Sequence, residues 1–322
     1  MSQANPFEPL PQRVSSSLRR WPALPRQLAW VAFIVGVMGI AITLVTWAMS
    51  GYVDYMGWLR QGLSFWLGHL LLSALAAYWM TLAYLERHGL AGYPHPAPLM
   101  LGYGLLYLLA SWAMGYALSY LFVWLYDNPD HYGTDRLLSD GVWWLVGLLR
   151  FATEAMLTLW LVLHLSRHKA RPAENALHLS ATTLAWLFAM GMVVLGLQLN
   201  ALVVRLAGGM TAGEALDGWP GLAGLVNAGL CLLVSFFAAR SALPAQVQGF
   251  NAGRLALACL ITLLLWLGSG VPGAILMLAV LWLGHVSGPA MLVLLATLQL
   301  ALLWPFTRLG LRWGYRAQAA QA

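Results

Sequence analysis

The chain has 322 residues, of which 61% are hydrophobic and only 9% are charged. A soluble protein of this length could not cover its surface with so few charged side chains, so the composition excludes an ordinary soluble fold. The net charge of +6 is explained by arginines in loops that face anionic lipid headgroups, and it requires no nucleic acid as a partner.

Apolar runs of about 20 residues, the length that crosses a bilayer core, predict the membrane-spanning helices. They lie at 28–49, 63–85, 98–126, 141–165, 176–204, 219–239 and 254–269, followed by shorter stretches at 271–287 and 289–306. The sequence therefore predicts an all-α, polytopic transmembrane helix bundle with eight or nine spans and no soluble domain. We expect a cytoplasmic tail at 1–27, a transmembrane helical domain at 28–307 and a basic C-terminal tail at 308–322.

The distribution of arginine predicts the orientation, because basic loops are retained in the cytoplasm. Four arginines precede the first span, and basic residues flank the loops after the fourth and sixth spans, whereas acidic residues occupy the alternate loops. This pattern predicts a bacterial inner-membrane protein with a cytoplasmic N-terminus. Arg308, Arg312 and Arg316 favour the same side and hence eight crossings, with an interrupted element near 268–289. Nine crossings are the alternative.

Arg150 and Glu154 lie inside the fourth predicted span, in GLLRFATEAML (147–157). An ionised residue at a helix centre costs about 2.5–3.5 kcal/mol on insertion, and an aliphatic residue returns only about 0.3–0.6 kcal/mol. At positions i and i+4 the two side chains share one face, which we expect to turn into the bundle. The pair is either an internal brace or a binding site, since costly intramembrane charges are functional candidates by default.

Polar residues on other spans could complete the same cavity. The fifth span offers Gln198 and Asn200, and the sixth offers Asn227. Two further pairs share a helix face, namely His69 with Ser73 and Tyr103 with Tyr107. For each of these residues the alternative is an ordinary interhelical hydrogen bond, which contributes about 0.6 kcal/mol on average.

A metal site is a further candidate at the end of the fourth span. His164 and His168 form an HxxxH pair, so both rings can point the same way. With His178 or Glu174 across the following loop, three or four ligands could surround a metal ion. The alternative is a group of interfacial histidines facing lipid headgroups.

No Walker A loop, dinucleotide-binding fingerprint or HExxH motif occurs in the sequence. The leading prediction is a transport protein, or a membrane subunit of a transport complex, that binds a proton, an ion or a small anionic substrate at Arg150 and Glu154. One alternative is an integral-membrane enzyme acting on a lipid or isoprenoid headgroup at the cytoplasmic face, and another is a non-catalytic scaffold or assembly subunit. The expected partners are the lipid bilayer and either partner membrane subunits or a second copy; the sequence identifies no cofactor.

Overall fold

Long helices account for nearly all of the chain that the computed structural model describes, which is residues 23–49, 55–127, 145–172, 178–206, 220–243, 246–248, 250–282 and 288–319. In these ranges the helices are α1 (Leu24–Met49), α2 (Tyr55–Arg87), α3 (Pro96–Asp127), α4 (Leu145–Leu165), α5 (Ala181–Leu206), α6 (Pro220–Ala242), α7 (Ala252–Trp282) and α8 (Gly288–Ala319). Four very short strands are β1 (Leu90–Gly92), β2 (Arg171–Pro172), β3 (His178–Ser180) and β4 (Gln246–Gln248). The predicted all-α class is confirmed.

Six helices of the described chain contain a segment long and apolar enough to cross a bilayer. These segments are Leu24–Thr46, Trp66–Arg87, Pro96–Leu121, Leu145–Leu165, Ala181–Gln198 and Ala252–Gly273. A shorter apolar helix, Val226–Ala242, lies within α6. The chain is therefore a multi-pass integral membrane protein.

The sequence predicts an interrupted element near 268–289. In this range α7 continues as one helix to Trp282, with Pro272 inside it, and residues 283–287 lie outside the described residues. Proline removes only one backbone hydrogen bond, to the carbonyl four residues earlier, and a packed helix tolerates that loss. The neighbouring Ser269 hydroxyl donates to the carbonyl of Trp266 and lies 3.2 Å from Gln299 Oε1 on α8. At the other end of α8, residues 308–319, which the sequence assigns to a tail, continue the helix.

Two clusters of buried side chains hold the helices together, and α2 contributes to both. The first cluster joins α1, α2, α3 and α4, and the second joins α5, α6, α7 and α8. Leu85 of α2 belongs to the first cluster and Leu82, about one turn earlier, belongs to the second. The chain thus forms two groups of four helices that meet along α2.

Short antiparallel strands tie three loops together at one end of the bundle. Strand β1, after α2, pairs with β2, after α4, and places Leu90 opposite Pro172. Strand β3, before α5, pairs with β4, before α7. In addition, Glu86 Oε2 accepts a hydrogen bond of 2.5 Å from the backbone N–H of Phe250. The three loops therefore lie on one side of the bundle, as the predicted alternation requires.

The first helix also begins at this side. Val31 of α1 lies against Gly104 of α3, where an added Cβ would be 3.3 Å from the valine, so α1 and α3 start at the same level. We call this side the basic end, after the cationic residues at the helix ends and loops that lie there. They are Arg26, Arg87, Arg167, Lys169, Arg171, Arg240 and Arg254.

Helices α7 and α8 pack antiparallel at very close range through two glycines. A Cβ on Gly310 would lie 2.8 Å from the carbonyl oxygen of Ala258 and would collide with Thr262 Oγ1. A Cβ on Gly314 would lie 2.6 Å from Ala258 Cβ. Small residues four apart let helix backbones approach each other where lipid provides no hydrophobic driving force. This contact brings α8 back to the basic end. The Gly-x-x-x-Gly motif of α8 that makes it possible was not among the features predicted from the sequence.

Replacing Gly310 by alanine tests this contact. We expect Gly310→Ala to destabilise the detergent-purified protein by about 1–3 kcal/mol, because the new methyl group overlaps backbone atoms of α7. Gly102 of α3 is the matched control, since its Cβ would meet no atom within 4 Å. Gly102→Ala should leave the melting temperature unchanged or raise it, because alanine favours helix by about 1 kcal/mol. Equal melting temperatures for Gly310→Ala and the wild type would contradict the packing.

Candidate functional site

The two charged residues of α4 form an ion pair within that helix. Arg150 Nε donates to Glu154 Oε1 at 2.6 Å. Only 4% of the Glu154 side chain is exposed, compared with 39% of the Arg150 side chain. The Glu154 side chain is thus enclosed by the bundle, whereas the Arg150 side chain is only partly enclosed.

The pair lies deep within the membrane-spanning part of α4. Glu154 precedes the helix end at Leu165 by eleven residues, which is about 16 Å along the axis from the basic end. A bilayer hydrocarbon core is about 30 Å thick, so this depth is close to its middle. Arg150 is one turn farther from the basic end. Both charges therefore lie where water is scarce and unpaired charge is costly.

The helix changes its hydrogen-bonding pattern at this point. Residues Ala152–Leu157 form a π-helical segment, with α-helix before and after it. A π-helical turn shifts the backbone bonds by one residue and so disturbs the usual partners of nearby carbonyls. The Thr158 hydroxyl donates to the carbonyl of Glu154, and the Tyr103 hydroxyl from α3 donates to that of Ala155 at 3.3 Å. Such segments occur frequently at functional sites.

Uncharged hydroxyl groups from the neighbouring helices adjoin the carboxylate. Tyr107 of α3 donates a hydrogen bond of 3.3 Å to Ser73 Oγ of α2, and both residues are buried. The Ser73 hydroxyl in turn donates to the carbonyl of His69 at 3.0 Å. Tyr107 lies within electrostatic range of both Glu154 and Arg150. Among the described contacts, its hydroxyl bonds to Ser73 and not to Glu154.

His69 of α2 completes the group. Its ring meets that of Phe151 edge to face, with centroids 6.1 Å apart, and it lies within electrostatic range of Arg150. We refer to the set of Arg150, Glu154, His69, Ser73 and Tyr107 as the polar centre. Three helices contribute to it. The shared faces of α2 and α3 could be predicted from the sequence, but their contact with α4 at this point could not.

The remaining residues predicted to line the cavity have different positions. Gln198 of α5 reaches α2 beside the polar centre, with its amide nitrogen 3.8 Å from where a Cβ on Gly68 would lie. Asn227 is exposed on α6, and its Oδ1 lies 4.0 Å from the thiol of Cys231 on the same helix. Among the described contacts, none joins Asn227 to the polar centre. The side chain of Asn200 lies outside the described residues.

The histidines of the predicted metal site lie at the basic end. His164 is exposed and stacks on Trp160, with ring centroids 4.9 Å apart, and His168 is exposed in the following turn. The backbone of His178 pairs with Gln248, but its side chain and the whole of Glu174 are outside the described residues. Within the part of the chain that is described, no three His, Cys, Asp or Glu side chains are grouped to hold a metal ion.

Two tyrosine hydroxyls fix the last turn of α4 at the basic end. Tyr84 of α2 and Tyr93, just after β1, both donate to the carbonyl of Leu163, at 3.3 and 3.2 Å. Burial raises the pKa of Tyr93 to about 12, so it remains a neutral donor at physiological pH. These bonds set the depth of α4 and hence of the ion pair.

No family model, curated protein or solved structure matches this chain. The chemistry of the polar centre is accordingly the basis for assigning a function.

The ion pair leads to a stability prediction. We expect Arg150→Met to lower the melting temperature of the purified protein, because the enclosed Glu154 carboxylate then lacks its partner. Breaking a fully buried pair costs about 3–5 kcal/mol, and the partial exposure of Arg150 should place this variant at or below the lower end of that range. The double variant Arg150→Met, Glu154→Met should melt close to the wild type, because it leaves no unpaired charge. A double variant less stable than Arg150→Met would show that the charges themselves hold the fold together.

Proposed function

We propose that the protein is a transport protein of the bacterial inner membrane, or the membrane subunit of a transport complex. Its polar centre binds a proton, an ion or a small anionic substrate. The observation that carries the proposal is the enclosed Glu154 carboxylate near mid-membrane, whose ion-pair partner among the described residues is a partly exposed arginine of the same helix.

The geometry of the pair argues against a purely structural role. A brace must join two helices, whereas Arg150 and Glu154 bond to each other along α4. The hydrogen bonds that anchor α4 to its neighbours come instead from tyrosine hydroxyls, which are those of Tyr84, Tyr93 and Tyr103. The two charges are therefore not needed to hold α4 in place, and intramembrane charges of this kind characterise ion and proton pathways.

The chemistry of the centre suits a group that changes its protonation or its partner. Glu154 can hold a proton or a cation, and Arg150 stabilises the carboxylate when neither is bound.

Orientation and span number belong to the same proposal. We place the basic end in the cytoplasm, following the retention of basic loops there. The continuous α7 and the antiparallel α8 support eight crossings, with the C-terminus also inside.

Reporter fusions test this topology. Green fluorescent protein joined after Ala322 should fluoresce, and alkaline phosphatase at the same point should be inactive, because only the former matures in the cytoplasm. Fusions to chains truncated after Trp282, at the far end of α7, are the matched control and should show the reverse. Active phosphatase after Ala322 would instead require an odd number of crossings.

A conservative substitution tests the transport role. We expect Glu154→Gln to abolish ion-coupled proton movement in proteoliposomes that contain a pH-sensitive dye and are given a gradient of sodium, potassium or nitrate. Glutamine keeps the shape of the side chain but cannot exchange a proton. Thr153→Val is the matched control, since the Thr153 hydroxyl donates only to the Leu149 carbonyl of its own helix. It should retain the flux of the wild type.

Membrane abundance separates the two interpretations of the pair. Both variants should accumulate near the wild-type amount under the transport proposal. If Glu154→Gln mainly reduces abundance, or if its flux per protein equals that of the wild type, the pair is structural and the proposal fails.

A further inference from the structure

The guanidinium of Arg150 has unused hydrogen-bonding capacity. Glu154 occupies its Nε, and in the described part of the chain neither terminal amino group bonds to another side chain. A guanidinium offers five N–H donors in a planar fork that matches the oxygens of carboxylate-like anions. The Arg150 side chain is 39% exposed, so it is open to a ligand as well as to Glu154. Arg150 can therefore offer N–H groups to an anionic ligand.

The charge of the centre limits what can bind. Helix α4 packs against α2 and α3. Among the described residues, the titratable groups that adjoin the pair are His69 on α2 and Tyr103 and Tyr107 on α3. On α4 the charged groups are Arg150 and Glu154 themselves. With the tyrosines and the histidine neutral, Arg150 and Glu154 sum to zero. A net charge in a medium of low dielectric is strongly unfavourable.

This constraint couples anion binding to protonation. A monoanion added to the intact pair would leave a net charge of −1 at the centre. If one proton binds to Glu154 at the same time, the sum returns to zero. A dianion would require a second proton, for which the centre has no second carboxylate among its described residues.

We propose that Arg150 and Glu154 form an electroneutral co-binding site for a monoanion and a proton. The Arg150 Nε–H bond to Glu154 Oε1 breaks, the proton binds to the Glu154 carboxylate, and the freed guanidinium donates its N–H groups to the oxygens of the anion. Release of the anion and the proton restores the ion pair. This inference rests on the proposed transport function and specifies its substrate class as small monoanions with two oxygens on one edge.

Binding measurements on the purified full-length protein test the coupling. The probes are nitrate and benzenesulfonate, because both remain ionised throughout the range from about pH 5.5 to 8.5 in which carboxyl and imidazole groups commonly titrate. For the wild type we expect the affinity of each probe to fall about tenfold per pH unit once Glu154 is ionised in the free protein, as linkage of one proton requires. Calorimetry in two buffers of different ionisation enthalpy should show one proton taken up per anion.

Three variants assign the effect to residues. Glu154→Gln imitates the protonated acid, so it should bind the probes with an affinity that no longer depends on pH. Arg150→Gln should lose binding altogether. His69→Asn alters the polar centre and hence the absolute affinity, but the tenfold change per pH unit should persist, which separates the carboxylate from the imidazole as the group that titrates. Sulfate, a dianion of similar size to nitrate, should bind at least tenfold more weakly than nitrate.

Several results would overturn the inference. They are probe affinity in the wild type that does not vary with pH, retained binding in Arg150→Gln, or no binding of either probe to the wild type and Glu154→Gln. If these occur while flux in proteoliposomes still requires Glu154, the centre carries a proton or cation and only the monoanion assignment fails. If pH-dependent binding is found without flux, the site exists and the transport function fails.

Discussion

The intrahelical pair of Arg150 and Glu154 is the constraint to which the rest of the N-terminal half is adapted. A carboxylate near mid-membrane must be satisfied within the protein, because hydrocarbon provides no donors. One arginine on the same helix meets that requirement. The surrounding hydroxyls then serve the backbone, since Thr158 and Tyr103 donate to carbonyls of the π-helical segment and Tyr84 and Tyr93 donate to Leu163. Among the described contacts, the Arg150 and Glu154 side chains therefore bond only to each other.

Helix α2 connects this centre to the other half of the molecule. Gly68 faces Leu197 and Gln198 of α5, whereas the next residue, His69, faces Phe151 of α4. The interface between the two groups of helices therefore comes within one residue of the polar centre. The helices are close at this point, because an added Cβ on Gly68 would lie 3.3 Å from Leu197. Any displacement of α5 against α2 would be transmitted directly to the helix that carries His69.

Much of this architecture could be predicted from residue patterns, and the failures have physical causes. Long apolar runs identify the helices, and the spacing of Arg150 and Glu154 predicts their contact. In contrast, Asn227 was expected inside but is exposed on α6. A membrane helix is apolar all round, so no periodicity shows which of its faces is buried. The π-helical segment has no local signature, since its sequence ATEAML suits an ordinary helix.

The errors near the C-terminus share one origin. Glycine and proline at 268–273 weaken a helix in isolation, and so they predict a break that α7 does not have. Tertiary packing against α8 outweighs that local preference. The same packing depends on Gly310 and Gly314, because a side chain at either position would collide with α7. Rules based on local sequence rate glycine only as a weak helix former. They do not predict which helix backbone a glycine allows to come close.

Energetic comparison argues for a functional reason behind the charged pair. Two ionised residues near a helix centre cost about 5–7 kcal/mol on insertion, taking about 2.5–3.5 kcal/mol for each. An ion pair at i and i+4 returns only about 0.2–0.5 kcal/mol in an isolated helix, and less when the basic residue comes first, as Arg150 does here. Enclosure strengthens the attraction, but a leucine at each position would avoid the cost entirely. This energetic balance is the reason why we propose that the pair gains and loses its partner and does not serve stability alone.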